Sequence, residues 1–315
     1  MAPAGGGGVK ILVTGGAGFI GSHLAERLLG AGHEVVVLDD LSSGRRENVP
    51  PGARLHVASV VSAAAAEIVG GERPEAIFHL AAQVDAARSV REPLLDAEVN
   101  VLGTVRLLAA ASEAGVQRFV LASSAAVYGE PEALPVGEAH PQRPLSPYGI
   151  AKSAAERYLE CFGREHGLAG VALRFANVYG PRQTTAGEAG VVAVFCHCLV
   201  AGEPLAVHGD GRQTRDFVHV DDVAAACLGA LAAAPGAYNV ATGVETDVLA
   251  VAEALRRAID PQARLVHAAP RPGDPRRSVL SPDLAAAQLG FRARIRLDHG
   301  LAGTAGWFRS TLKGN

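Results

Sequence analysis

Large side chains are scarce in these 315 residues: aromatics make up 5%, and Met and Trp occur once each. A core built from such a chain has to come from Ala, Val and Leu. Their small side chains let helices and strands approach closely, as a layered α/β fold requires. Charge of one sign is missing too. Lys and Arg total 29 against 32 Asp and Glu, a formal net charge of -3. That balance gives no field to draw a nucleic-acid backbone or an anionic membrane surface. No uncharged apolar run nears the ~18 residues of a spanning helix. Residues 1–8 hold neither a positive charge nor an apolar stretch, so they read as a flexible tail and not as a signal peptide. The four cysteines, Cys161, Cys196, Cys198 and Cys227, form no CxxC pair. Cys196-His197-Cys198 would need two further ligands to hold zinc, so the expectation is no metal and reduced thiols in a cytoplasmic protein.

What is present, 49% hydrophobic residues, excludes a disordered chain and leaves room for one large core or a core with a smaller lobe. Short β-branched runs at 9–14, 34–38, 55–57, 76–80, 119–123 and 171–175 read as strands. Between them 19–30, 99–114 and 148–166 have helical spacing, the last opened by Ser146 as N-cap and Pro147 in the first turn. Alternating strand and helix predicts a Rossmann-type doubly wound parallel sheet with helices on both faces. After Asn177 turn residues multiply, which predicts a smaller mixed α/β lobe. The expected division is a tail at 1–8, a main domain at 9–174 with 214–241 returning to it, and a lobe from 175–213 and 242–312.

Gly15, Gly18 and Gly21 follow the first strand directly and open a helix. There a diphosphate can lie against backbone N–H groups at a helix N-terminus. Asp39 ends the second strand, near the ~20-residue offset of a carboxylate that binds the adenosine ribose. It favours NAD over NADP, a preference that Arg45 and Arg46 soften. Tyr148 and Lys152 lie at i and i+4 on one helical face. An ammonium beside a phenol of ordinary pKa ~10 favours the phenolate, a base at neutral pH. Ser123-Ser124 ends a strand upstream, where a hydroxyl can bind a substrate alcohol and relay its proton.

These segments, TGGAGFIGSHL, FHLAAQV, SSAAVYGEP, SPYGIAKSAAE, LRFANVYGPRQ, GDGRQTRDFVHVDDV and RPGDPRRSVLSP, resemble the extended short-chain dehydrogenase/reductase family, most closely its nucleotide-sugar 4-epimerases. The resemblance runs from Lys10 to about Phe308. It implies a catalytic set of Ser124, Tyr148 and Lys152, with Tyr148 taking the sugar C4 proton, NAD receiving and returning the hydride, and a 4-keto sugar turning over between. It implies a cofactor wall of Gly15, Gly18, Phe19, Ile20, Asp39, Asp40, Ser43, Gly44, Ser59, Val60, Leu80, Ala81, Ala82, Asn100, Ser123 and Phe175, with Tyr148 and Lys152 at the nicotinamide end. On the substrate side it implies Asn177 near the diphosphate, the Val191 amide on a phosphate, and Ala206, Val207 and His208 along the uracil. Arg215 and Arg271 would clamp the diphosphate and Asp274 would take the uridine ribose, with Ser124 and Tyr148 at the sugar. Two guanidiniums suit a doubly charged diphosphate. The implied partner is a second copy of the chain, docked through helices 99–114 and 148–166.

One departure lies at the adenine end, where Ala58-Ser59-Val60 stands in place of the family's usual acidic segment. Related dehydratases place Asp-Glu after the strand-end hydroxyl and decarboxylases place a Glu there, where this chain has Ala125 and Ala126. The resemblance then points to C4 inversion of a UDP-hexose, UDP-glucose and UDP-galactose first. Ser278, small at the family's size gate, leaves room for N-acetylated sugars. UDP-glucuronate ranks lower because Thr184 and Ala87 offer no cation, although Arg88 is adjacent. A nucleotide-sugar 4-ketoreductase and a catalytically silent NAD-binding sensor are the other readings.

Overall fold

The computed structural model describes residues 8–184, 190–269 and 275–312. The first half alternates as β1 (Lys10–Thr14), α1 (Phe19–Gly30), β2 (Glu34–Asp39), β3 (Arg54–Val57), α2 (Ala63–Glu72) and β4 (Ala76–His79). Short helices α3 (Ala86–Arg91) and α4 (Pro93–Ala97) lead through a π turn, Glu98–Leu102, into α5 (Gly103–Glu113). Then come β5 (Arg118–Ser124), α6 (Pro147–His166) and β6 (Ala169–Phe175). Beyond them lie β7 (Asn177–Tyr179), α7 (Val191–Ala201), β8 (Leu205–His208), β9 (Thr214–His219), α8 (Val220–Gly229) and β10 (Gly236–Val240). The chain ends with β11 (Glu245–Asp247), α9 (Val248–Ile259), β12 (Leu265–Ala268), α10 (Asp283–Leu289) and α11 (Leu297–Leu312).

Seven parallel strands form the main sheet in the order β10-β6-β5-β4-β1-β2-β3. Apart from the edge strand β3, the strands of this sheet are largely buried on both faces, and alternate residues feed separate cores. Ile11, Val13, Val35 and Val37 pack with Leu24 and Leu28 of α1 and Val223 of α8. Leu12, Val36 and Leu38 pack with Leu107 and Leu108 of α5 and Ala155 and Leu159 of α6. Full burial of each such leucine is worth roughly 1.5–3 kcal/mol. A third core under α7, α9 and α11 includes Phe195, Leu255 and Phe308 and belongs to the smaller lobe. No helix among the described residues is long and apolar enough to cross a membrane.

Two expectations need correction. Of residues 214–241, α8 returns to pack on α1 and β10 joins the main sheet, but β9 does not. The place beside β6 is filled by β10, so β9 pairs with β7 and β11 in a separate three-stranded sheet. The single helix expected at 99–114 is α5 preceded by the π turn. The wide turn lets Asn100 face the end of β4, and Gly103 then passes Val60 closely, a side chain there falling 3.0 Å from Val60 Cγ2.

Candidate active site

The order of the sheet reverses between β1 and β4, and the crevice at that switch is where open α/β sheets bind ligands. Chain leaving β1 turns on Gly15, whose φ is +69°. A side chain at Gly15 would stand 2.7 Å from Ala81 N, and one at Gly21 would stand 2.0 Å from Gly15 O. Gly18 is the N-cap of α1 and has no side chain to cap it; the first intrahelical bond runs from Ser22 N to Gly18 O. The amides of Phe19, Ile20 and Gly21 therefore face out of the positive end of the helix, a bare cradle that fits a diphosphate.

Asp39 ends β2 nearly buried. Its Oδ2 accepts Ala17 N at 2.9 Å and its Oδ1 accepts Leu41 N at 2.8 Å. Burial pushes its pKa up, against the pull of those two amides. The carboxylate keeps lone pairs for ribose hydroxyls, and Gly44 leaves it open: a Cβ there would come within 2.9 Å of Asp39 Oδ1. Asp40, by contrast, is exposed and accepts from Ser42; Ser43 is exposed as well.

At the ends of β1 and β4 a directed chain of hydrogen bonds fixes the floor of the crevice. Ala81 N donates to Thr14 Oγ1, Thr14 Oγ1 lies 2.8 Å from His79 Nδ1, His79 Nε2 lies 3.0 Å from Thr104 Oγ1, and Thr104 donates to the Asn100 carbonyl. Only a neutral imidazole with its proton on Nε2 satisfies every member. Burial, with Lys152 nearby, holds the His79 pKa down to about 3. Between pH 6.5 and about 3 the unfolded chain takes a proton that folded His79 refuses, so stability falls as pH falls through that window. Denaturant midpoints should drop from pH 7 to pH 5, and His79→Gln should lower the slope by close to one proton; an unchanged slope refutes the assignment. Asn100 itself is sewn to the loop after β4: its Oδ1 accepts Gln83 N, and its Nδ2 donates to Gln83 O and Asp96 Oδ1.

Helix α6 starts at this same end of the sheet. Ser146 Oγ accepts Gly149 N, and Ser89 of α3 accepts Tyr148 N. Gly149 lets the first turn lie directly on the 124–127 turn, since a side chain there would stand 2.7 Å from Ala126 O. Tyr148 is thereby brought over the turn that carries Ser124, whose Oγ accepts Ala126 N. Lys152, 4% exposed, donates to Ala122 O at 2.9 Å, and its Nζ lies 5.8 Å from the centre of the Tyr148 ring. Burial lowers the Lys152 pKa to about 8, with the carboxylates of Asp96 and Glu156 pulling the other way. The phenol and the ammonium thus lie together near the start of α6, which rests on the turn that follows Ser124.

Other expected positions sort differently. The Ser123 hydroxyl donates to Glu156 Oε1 of α6 at 2.5 Å, so its proton is not available to a cofactor. Strand alternation turns Ser124 to the other face, where its Oγ accepts Ala126 N. The side chains of Val60 and Phe175 lie in the cores on either face. Leu80, Ala81, Ala82 and Ser59 are partly buried around the crevice. Across it, Asn177 is exposed on β7, and Val191 starts α7 after Gly190, which has no side-chain cap. Arg215, 8% exposed on β9, donates to Thr214 O. Ala206 is exposed and His208 Nδ1 lies 2.9 Å from Ala269 O, but the Val207 side chain is fully buried in the lobe's core, leaving only its backbone for a base. Arg271 and Asp274 lie outside the described residues.

Sequence reasoning missed Ser89, Gly149, Asp96, His79 and the Glu156–Arg174 pair. Only Gly149, inside YGIAK, carried a local signal. A cavity of about 470 Å³ lined by Glu156, Leu159, Leu168, Ala172 and Ala237 opens towards the amino end of the strands. At the end of α7, His197, Cys198 and Glu203 bring three ligand atoms within 4.8 Å of one another; there the Cys198 thiol is pushed up by burial and by Glu203. All four cysteines are free.

Residues 11–241 match the model of the NAD dependent epimerase/dehydratase family. A UDP-glucose 4-epimerase of Mycolicibacterium smegmatis is 45% identical over 310 residues, covering 96% of this chain and 99% of that one. The crystal structure of a UDP-glucose 4-epimerase from Thermotoga maritima with UDP-glucose superposes with a TM-score of 0.94 at 43% identity, covering 96% of this chain and 99% of that one. A Thermus thermophilus UDP-glucose 4-epimerase in complex with NAD gives 0.91 at 44% identity, over 95% and 99%.

Proposed function

The chain belongs to the NAD dependent epimerase/dehydratase family, and we propose that Ser124, Tyr148 and Lys152 carry out the proton chemistry of C4 inversion on a UDP-hexose. It is an epimerase and its cofactor is NAD. The cradle of Gly15, Gly18 and Gly21 holds the diphosphate of the cofactor and Asp39 its adenosine ribose. When bound, NAD supplies the chemistry of accepting hydride from C4 and returning it. Tyr148, as phenolate beside Lys152, takes the C4 hydroxyl proton and gives it back, and Ser124 orients that hydroxyl. Asn177, the Val191 amide and Arg215 face the nucleotide from the smaller lobe, with Arg271 and Asp274 assigned there by resemblance.

The observation that carries this reading is that Lys152 Nζ stands 5.8 Å from the centre of the Tyr148 ring while Gly149 seats the same helix on the turn after Ser124, where Ala125 and Ala126 offer no acid or base. Elimination and decarboxylation lack a proton carrier there. UDP-glucose and UDP-galactose are the first substrates, with room beside Ser278 for their N-acetylated forms. UDP-glucuronate is disfavoured further by Arg88, whose guanidinium is engaged by Glu92 at 3.1 Å. We read the molecule as a cytoplasmic homodimer. Val90, Leu94, Leu102, Ile150 and Tyr158 leave an apolar exposed face on α3–α6 for the second copy.

The test is to incubate purified protein with UDP-glucose, UDP-GlcNAc or UDP-glucuronate, without added NAD, and follow C4 inversion by NMR. Inversion of none, with NADH- or NADPH-dependent reduction of a 4-keto sugar, moves the reading to a reductase. The pH profile gives a second check. Lys152 loses its proton as pH rises through about 8, and with it the charge that favours the phenolate. kcat should therefore fall above pH 8; a plateau holding to pH 10 contradicts the role of Lys152.

A further inference from the structure

We propose that Glu156 is a positioning residue for this reaction: held by Arg174 and Ser123, it sets how deep α6 rests on the ends of β5 and β6, and so where Tyr148 and Lys152 stand relative to Ser124. The inference rests on the reading of the site given above and adds a residue to it. Glu156 lies one helical turn beyond Lys152 and is 2% exposed. Its carboxylate is filled on every side. Oε1 accepts from Ser123 Oγ at 2.5 Å and Arg174 Nε at 3.0 Å; Oε2 accepts from Arg174 Nη2 and Gln142 Nε2, both at 2.7 Å.

The group extends beyond the pair. Arg174 Nη1 donates to Tyr128 OH at 2.8 Å and to Glu138 O at 3.0 Å, and Tyr128 OH donates to Asn239 Oδ1 at 2.7 Å. The Tyr128 ring centre lies 5.0 Å from the guanidinium. One satisfied network thus ties α6 to β5, β6, β10 and the segment around 128–142. Ser124 directly follows Ser123, and Tyr148 and Lys152 precede Glu156 on the same rigid helix.

Stability alone does not demand this arrangement, because a buried ion pair is often no more stable than apolar residues of equal volume. Net charge does not demand it either, since the pair is neutral as a unit. What a bidentate fork supplies is fixed distance and angle. A misplacement of ~1 Å between reacting groups can cost about 10²-fold in rate.

Two variants separate reach from charge. Glu156→Gln keeps the length of the side chain and loses its charge. Glu156→Asp keeps the charge but falls one methylene short of Ser123 and the Arg174 fork. With UDP-glucose as substrate, Glu156→Asp should lose about 30-fold or more in kcat and Glu156→Gln about tenfold or less, with KM and bound NAD within about threefold for both. Thermal midpoints should run the other way, Gln melting below Asp, because Gln leaves the Arg174 charge buried without its partner. Hydrogen exchange of the α6 amides from 148 to 156 should quicken in the Asp variant. Wild-type kcat in the Asp variant, an Asp variant more active than Gln, or a loss carried by KM overturns the proposal. Should neither variant fold, Ser123→Ala decides: a drop of about fivefold in kcat at constant KM supports it and an unchanged kcat overturns it. If the parent protein inverts no UDP-sugar, the substrate reading has failed, and hydrogen exchange still tests the placement of α6.

Discussion

Tyr148→Phe should lower kcat for C4 inversion by about 10³-fold while leaving bound NAD, KM for the UDP-sugar and the thermal midpoint close to those of the parent, because general acid–base groups contribute about 10²–10⁴-fold. The split follows from the geometry. The backbone of residue 148 is held without its oxygen: its amide donates to Ser89 Oγ, and the neighbouring Gly149 seats the helix on the 124–127 turn. Phe keeps both. The ring against Lys152 also remains. What Phe removes is the oxygen that carries the proton. Equal loss at low and saturating substrate would mark a group used only in the reaction step. A kcat within tenfold of the parent would assign the base elsewhere.

Gly21→Ala should abolish copurifying NAD. The new Cβ would lie 2.0 Å from Gly15 O and 2.8 Å from Gly16 Cα, both backbone atoms of the glycine turn. Neither can swing aside as a flexible side chain would, so the turn itself must open and the amides of the cradle lose their common aim. The strain should also cost about 1–3 kcal/mol, seen as a midpoint lower by several degrees. Gly30→Ala is the matched control at the far end of the same helix, where nothing lies within 4 Å of an added Cβ. It should keep its NAD. Full NAD occupancy in Gly21→Ala, measured by absorbance after denaturation, would refute the cradle as drawn.

Sequence and structure agree wherever a signal is local. The 3.6-residue period and the Ser146 cap define α6, the β-branched runs define the sheet, and the glycine spacing defines the turn. Disagreement appears where a side chain's direction or its distant neighbour decides. Ser123 and Ser124 are adjacent and chemically alike, but the pleat sends one to Glu156 and the other to the amide of Ala126. Val207 sits between two accessible residues and is buried by the same alternation. β9 has a strand's composition, yet composition does not say which edge is vacant. Glu156 and Arg174 are 18 residues apart on different elements, and each alone reads as a surface charge.

The path of the chain carries a further consequence. After Phe175 it leaves the seven-stranded sheet for the smaller lobe, returns at Val220, leaves again after Val240, comes back with α10 and finishes in the lobe with α11. Neither body is therefore a continuous piece of polypeptide, and no single cut separates them. β10, the last strand of the main sheet, arrives only after β7, α7, β8 and β9 have been made. A fragment ending near residue 175 would leave β6 as a bare edge, exposing hydrogen-bonding groups that invite association between chains. The two lobes should consequently melt together in one calorimetric transition.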